Sequence, residues 1–208
     1  SDWSSDVCSS DLGITEGNQR RLYYGAADIP LAKEGERMLK ELVAEHIYPE
    51  AEGSDFYTTG LIRTEQTLTL IYGEKEHSVI EELREMNFGQ FEMKSYQELK
   101  EVPAYIEWAG DKTGTLASPD GESIVEFRKR IENGFDILMG RHRLKELSVR
   151  HSGKDAFSTV VCHGGTIASI MEFYFPGKRE HFYKWIPDPG HGFTLDVKAG
   201  DVLNYGEF

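Results

Sequence analysis

Residues 157–162 read F-S-T-V-V-C, a β-branched run that stops at His163-Gly164-Gly165, and 166–175 then reads as a buried helix ending near Pro176-Gly177. This pattern predicts a strand, a tight glycine turn and a helix, with His163 at the carboxyl end of the strand. Open α/β sheets bind ligands at that end, and helix N-termini attract anions. Gly164 and Gly165 would let the backbone approach a phosphate. The competing reading of His163 is a packed or solvent-bridged histidine. No P-loop or dinucleotide glycine fingerprint stands in a strand-to-helix context, which argues against a nucleotide-binding module.

The elements that must position such a turn are legible along most of the chain. Met38, Leu39, Leu42, Val43 and Ile47 recur at helical spacing within 33–47, after a Pro30-Leu31 turn. A short β-prone run at 56–59 precedes a helix-compatible stretch from Thr64 to Tyr72 that Gly73 closes. Residues 81–112 are charged and aromatic with interrupted helical patterning, more like an inserted helical lid than a sheet segment. Ser123 opens a long amphipathic helix with Ile124, Phe127, Ile131, Phe135, Leu138 and Met139 on one face and Glu126 near its start. The runs 193–197 and 202–205 flank Ala199-Gly200-Asp201 as a closing hairpin.

Composition bounds the function. With 208 residues, 39% of them hydrophobic, the chain suits one α/β domain. A formal net charge of −13 argues against nucleic-acid binding through a basic surface, so an anionic ligand must meet a local positive pocket. Cys8 and Cys162 alone are too few for a zinc cluster, and no long apolar span reads as a membrane segment. A soluble, reducing, cytoplasmic setting is expected, with no membrane partner.

The segment 1–12, S-D-W-S-S-D-V-C-S-S-D-L, has no sustained period and predicts loop or disorder on its own. It also matches what one frame of a common short-read sequencing adapter encodes. The expected organisation is therefore a non-native segment at 1–12 followed by one domain at 13–208.

Several segments then fall in a familiar order. Residues 13–18 read G-I-T-E-G-N, 59–67 read T-G-L-I-R-T-E-Q-T, 83–89 read L-R-E-M-N-F-G, 119–123 read P-D-G-E-S and 161–166 read V-C-H-G-G-T. Together they resemble the histidine phosphatase superfamily, the phosphoglycerate mutase-like enzymes, over nearly everything after Gly13. The resemblance implies a three-layer α/β/α fold with a mainly parallel central sheet and an inserted helical lid. It also implies hydrolysis of a phosphate monoester of a small metabolite through a phosphohistidine, without metal or organic cofactor. Phosphoglycerate mutase-type transfer and a phosphate-binding pseudoenzyme are the alternatives.

The family opens with a strand ending in R-H-G. Here Leu12 stands at the nucleophile position and Asp11 at that of the arginine. The resemblance gives Arg63 a planar donor fork for phosphate oxygens, Glu85 the proton delivered to the leaving oxygen, and His163 a second donor, most effective as the imidazolium. Asn18 and the Gly164 backbone would complete the phosphate pocket, Asn18 alternatively serving as a cap. Arg20, Arg21, Tyr23 and Tyr24 would face the organic part of the ester or form a solvated loop. Glu122 would meet substrate or simply favour a helix start. Without its histidine nucleophile, the chain is expected to bind inorganic phosphate or a small phosphorylated metabolite with negligible turnover.

Overall fold

The computed structural model describes residues 5–208. Eight strands are named β1 (Ser5–Ser10), β2 (Leu22–Tyr23), β3 (Asp55–Thr58), β4 (His77–Val79), β5 (Lys94–Ser95), β6 (Ala156–Val161), β7 (Gly192–Lys198) and β8 (Asp201–Glu207). The helices are α1 (Glu16–Gln19), α2 (Lys33–Ala44), α3 (Ile62–Tyr72), α4 (Tyr96–Leu99), α5 (Pro103–Gly110), α6 (Ile124–Val149) and α7 (Gly164–Tyr174).

Six strands form one sheet in the order β4-β3-β6-β1-β7-β8. The first four run parallel and β7 is antiparallel to β1, so the sheet is mainly parallel as expected. Alternate side chains feed two faces. Tyr57 and Val160 pack with Phe127, Ile131 and Phe135 of α6 and Ile167 and Met171 of α7. Phe56 and Val161 instead pack with Leu68 of α3. Covering both faces in this way is the three-layer α/β/α arrangement, and it buries almost every residue of the β-branched run in β6.

β1 departs from the loop or disorder predicted for 1–12; residues 1–4 of that segment lie outside the described residues. Ser5–Ser10 lies inside the sheet, parallel to β6 from Ser5↔Ala156 to Ser10↔Val161 and antiparallel to β7. Backbone pairing is indifferent to side chains, and an empty slot would leave the facing edges of β6 and β7 without partners. Val7 is fully buried, and the Ser5 hydroxyl is satisfied by His142 Nε2 at 2.7 Å and Glu146 Oε1 at 2.8 Å.

The lid region is helical with a small β component that the sequence pattern hides. Two 3₁₀ turns, Glu81–Leu83 and Gly89–Phe91, precede α4 and α5, while β5 pairs with β2 as a separate two-stranded ladder. Phe91, Leu99 and Tyr105 form its own core, edged by Tyr23, Phe88 and Trp108. α6 starts at a capping box: Glu126 N–H donates to Ser123 Oγ, and Ser123 N–H to Glu126 Oε2. Phe127, Ile131, Phe135, Leu138 and Met139 form its buried face, whereas Ile124 is exposed.

Candidate active site

A cleft of about 270 Å³ opens over the carboxyl ends of β1 and β6. Its floor includes Asp11, Leu12, Arg63, Glu85, His163 and Gly164. Asn18, Tyr24, Tyr23, Phe88 and Ile186 are among the residues that wall it. The strand register fixes the central relationship: Ser10 pairs with Val161, so Leu12 and His163 each follow two residues beyond paired positions on adjacent parallel strands.

His163 is the N-cap residue of α7 and is buried. Its Nε2 lies 2.9 Å from Thr59 Oγ1 at the end of β3, a partner the sequence reading did not single out although Thr59 opens one of the motif segments. Burial drives the imidazole pKa well below its ordinary 6.5, and the nearby Arg63, Arg130 and Arg84 charges push the same way. Both effects favour the neutral imidazole over the imidazolium expected to act on a phosphoryl oxygen.

Two carboxyl groups occupy the start of α7. Glu85 Oε2 accepts from Gly165 N–H and Oε1 from Met86 N–H, each at 2.9 Å. A Cβ at Gly165 would lie 2.4 Å from Glu85 Oε1, so only glycine allows this approach. Asp11 Oδ1 accepts from Leu12 N–H at 2.8 Å, and its Oδ2 lies 3.4 Å from where a Cβ of Gly164 would stand. Burial raises the Asp11 carboxyl well above its usual 3.8, and the Glu85 charge adds to the rise. Burial also raises Glu85, opposed by its two backbone donors and by Arg63 and Arg130. A glutamate that readily keeps its proton is suited to act as a general acid.

Arg63 is fully buried on α3. Its Nη1 and Nη2 donate to the carbonyls of Ala27 and Gly25, both at 2.7 Å, so the fork expected for phosphate is engaged by the segment after β2. Its Nε is buried without a partner, and its guanidinium lies 5.2 Å from the Tyr24 ring centroid. Asn18 serves the capping role considered for it and also lines the cleft. Its Oδ1 accepts from Thr15 N–H at 2.8 Å to close the α1 capping box and also accepts from the Tyr24 hydroxyl, leaving the amide N–H groups for a ligand.

Other residues fall elsewhere. Arg20 is exposed and pairs with Glu16, and neither it nor Arg21 lines the cleft. Glu122 neither caps α6 nor faces the cleft; it is bound by Arg130 and by Asn87 N–H. Arg130 is the residue sequence reasoning missed most completely, because an arginine on the polar side of a long helix carries no local signal.

Comparison with known proteins agrees with this geometry. The family model described as histidine phosphatase superfamily (branch 1) matches residues 13–202. The chain belongs to the histidine phosphatase superfamily. Among relatives of this chain, an adenosylcobalamin/alpha-ribazole phosphatase of Salmonella typhimurium is 28% identical over 197 residues, covering 90% of this chain and 88% of the relative. The alpha-ribazole phosphatase structure from Shigella flexneri superposes with a TM-score of 0.73 at 22% identity, covering 95% and 93% of the two chains. A phosphoglycerate mutase from Thermus thermophilus gives 0.65 at 23%, covering 96% and 97%. These likenesses establish the phosphoglycerate mutase-like fold.

No helix among the described residues is long and apolar enough to cross a membrane. Among those residues no group of three or more His, Cys, Asp or Glu could hold a metal ion.

Proposed function

We propose that this chain is a phosphomonoesterase body for a small phosphorylated metabolite whose catalytic histidine belongs at position 12, and that with Leu12 there it binds phosphate without turning it over. The observation that carries this reading is the β1–β6 register, which sets position 12 beside His163 over a cleft holding Arg63 and Glu85. The family match starting at residue 13 supports reading 1–12 as a replacement for the family's own first strand.

In the repaired chemistry, a histidine nitrogen at position 12 attacks phosphorus, and the P–O ester bond breaks as the Glu85 proton passes to the leaving oxygen. Water then cleaves the P–N bond and releases inorganic phosphate. Arg63, Asn18 and His163 would offset charge on the transferring group. Leu12 can do none of this; it packs with Leu31 and Leu39 at the edge of the cleft. Asp11 adds a buried carboxyl where the phosphate must sit.

The aromatic wall of Tyr23, Tyr24 and Phe88 suits an ester with a flat organic group. The relative named an adenosylcobalamin/alpha-ribazole phosphatase makes a phosphate ester of alpha-ribazole the first substrate to try. The test is the double substitution Asp11→Arg with Leu12→His, assayed on a panel of phosphate monoesters and quenched to trap an acid-labile phosphoenzyme. Hydrolysis with a trapped phosphohistidine is expected. A well-folded double variant that hydrolyses none of the panel overturns the proposal.

A further inference from the structure

We propose that Arg130 is a positioning residue for Glu85, holding the backbone on both sides of it so that its carboxyl group meets the leaving oxygen. This rests on the reading of Glu85 as the proton donor. Arg130 Nη1 donates to the carbonyls of Glu82 at 2.8 Å and Arg84 at 2.9 Å, and Nη2 donates to that of Glu85 at 3.1 Å. Its Nε and Nη2 also donate to the two Glu122 carboxylate oxygens, at 2.6 and 2.8 Å. Glu122 Oε2 in turn accepts from Asn87 N–H at 2.9 Å, two residues beyond Glu85.

A guanidinium carries five N–H donors in a fixed plane, and all five are engaged here. Arg130 lines a neighbouring cleft of about 420 Å³ with Glu81, Glu82, Arg84 and Glu122, but it has no donor left for a ligand there. Its work is internal. Glu85 is held from the opposite side by Gly165 N–H, so its carboxyl lies between the start of α7 and a loop fixed to α6. Proton transfer is sensitive to placement on the ångström scale, so freeing that loop costs rate even where the carboxyl survives. Lysine has three donors and no plane, and cannot reproduce the pattern.

General-acid catalysis matters for poor leaving groups and little for good ones, which separates a positioning role from a structural one. The experiment compares p-nitrophenyl phosphate with glycerol phosphate as substrates of the full-length Asp11→Arg/Leu12→His chain. It is then repeated with Glu85→Gln, with Arg130→Met and with both substitutions added. Arg130→Lys is included in case Arg130→Met folds poorly, and each fold is checked by circular dichroism.

We expect Arg130→Met to raise the ratio of kcat on p-nitrophenyl phosphate to kcat on glycerol phosphate by about 10- to 100-fold. Glu85→Gln should raise it at least as much, and the combined variant no further than Glu85→Gln alone. A selective Glu85→Gln loss with equal losses on both esters for Arg130→Met and Arg130→Lys overturns the Arg130 role alone. A Glu85→Gln variant without selectivity overturns the proton-donor reading beneath it.

Discussion

The backbone N–H of Gly165 donates to Glu85 Oε2 at 2.9 Å, tying the first turn of α7 to the root of the lid. The helix end that could cradle a phosphate oxygen is thus partly used by the group read as the proton donor. Gly165→Ala would bring a methyl within 2.4 Å of Glu85 Oε1, the far end of a flexible side chain that can swing aside. The fold should lose less than about 1.5 kcal/mol in denaturant unfolding. In the repaired chain, hydrolysis of glycerol phosphate should nonetheless fall about 10- to 100-fold.

Asp11 predicts a pH dependence of the opposite sign to ordinary surface carboxylates. Its folded pKa is raised by burial, so the folded state holds the proton more tightly than the unfolded state. The associated stability is present below the ordinary value near 3.8 and is lost as pH rises through the folded value. Asp11→Asn keeps an acceptor for Leu12 N–H and removes the titration. Thermal midpoints of the two chains should lie close together at the acid end and diverge with rising pH, the variant being the more stable at pH 7. A gap that narrows as pH rises would contradict this. Calorimetry at pH 7 should also show inorganic phosphate binding at least about fivefold tighter to the variant.

Arg63 is a structural clamp as well as the phosphate donor proposed above. Arg63→Met leaves the Gly25 and Ala27 carbonyls without their donors and should cost about 3 kcal/mol in urea unfolding. Heat signals on titrating inorganic phosphate should disappear with it. A variant as stable as the parent would show that those two hydrogen bonds contribute nothing.

His142 joins β1 to β6 through Ser5 Oγ at 2.7 Å and Ser158 Oγ at 2.8 Å. Burial lowers its pKa from 6.5, so its contribution is complete above that value and is lost as pH falls toward the folded one. His142→Gln should therefore show a shallower decline in thermal midpoint than the parent between pH 7.5 and 5.

Much of this layout was legible in the residues themselves. The 157–175 pattern announced β6, the turn at His163 and α7, because a β-branched run, two glycines and a buried helix admit few other arrangements. Ser123 and Glu126 announced the start of α6 through capping chemistry that acts over three residues. β1 was not legible, since S-D-V-C-S-S has no strand pattern and its place comes from the unfilled slot between β6 and β7. The Arg130 contacts with the Glu82, Arg84 and Glu85 carbonyls and the Arg63 carbonyl contacts escaped for the same reason: they join segments far apart in the chain, and no local spacing encodes them. The protonation of His163 depends on burial that only the assembled site supplies.

The central claim is that this is a histidine phosphatase body lacking its nucleophile at position 12. The most direct measurement is phosphate release from p-nitrophenyl phosphate by the unmodified chain and by its Asp11→Arg/Leu12→His variant, under identical conditions. The account predicts no release above background from the unmodified chain and sustained, stoichiometrically excess release from the variant. Turnover by the unmodified chain would contradict it.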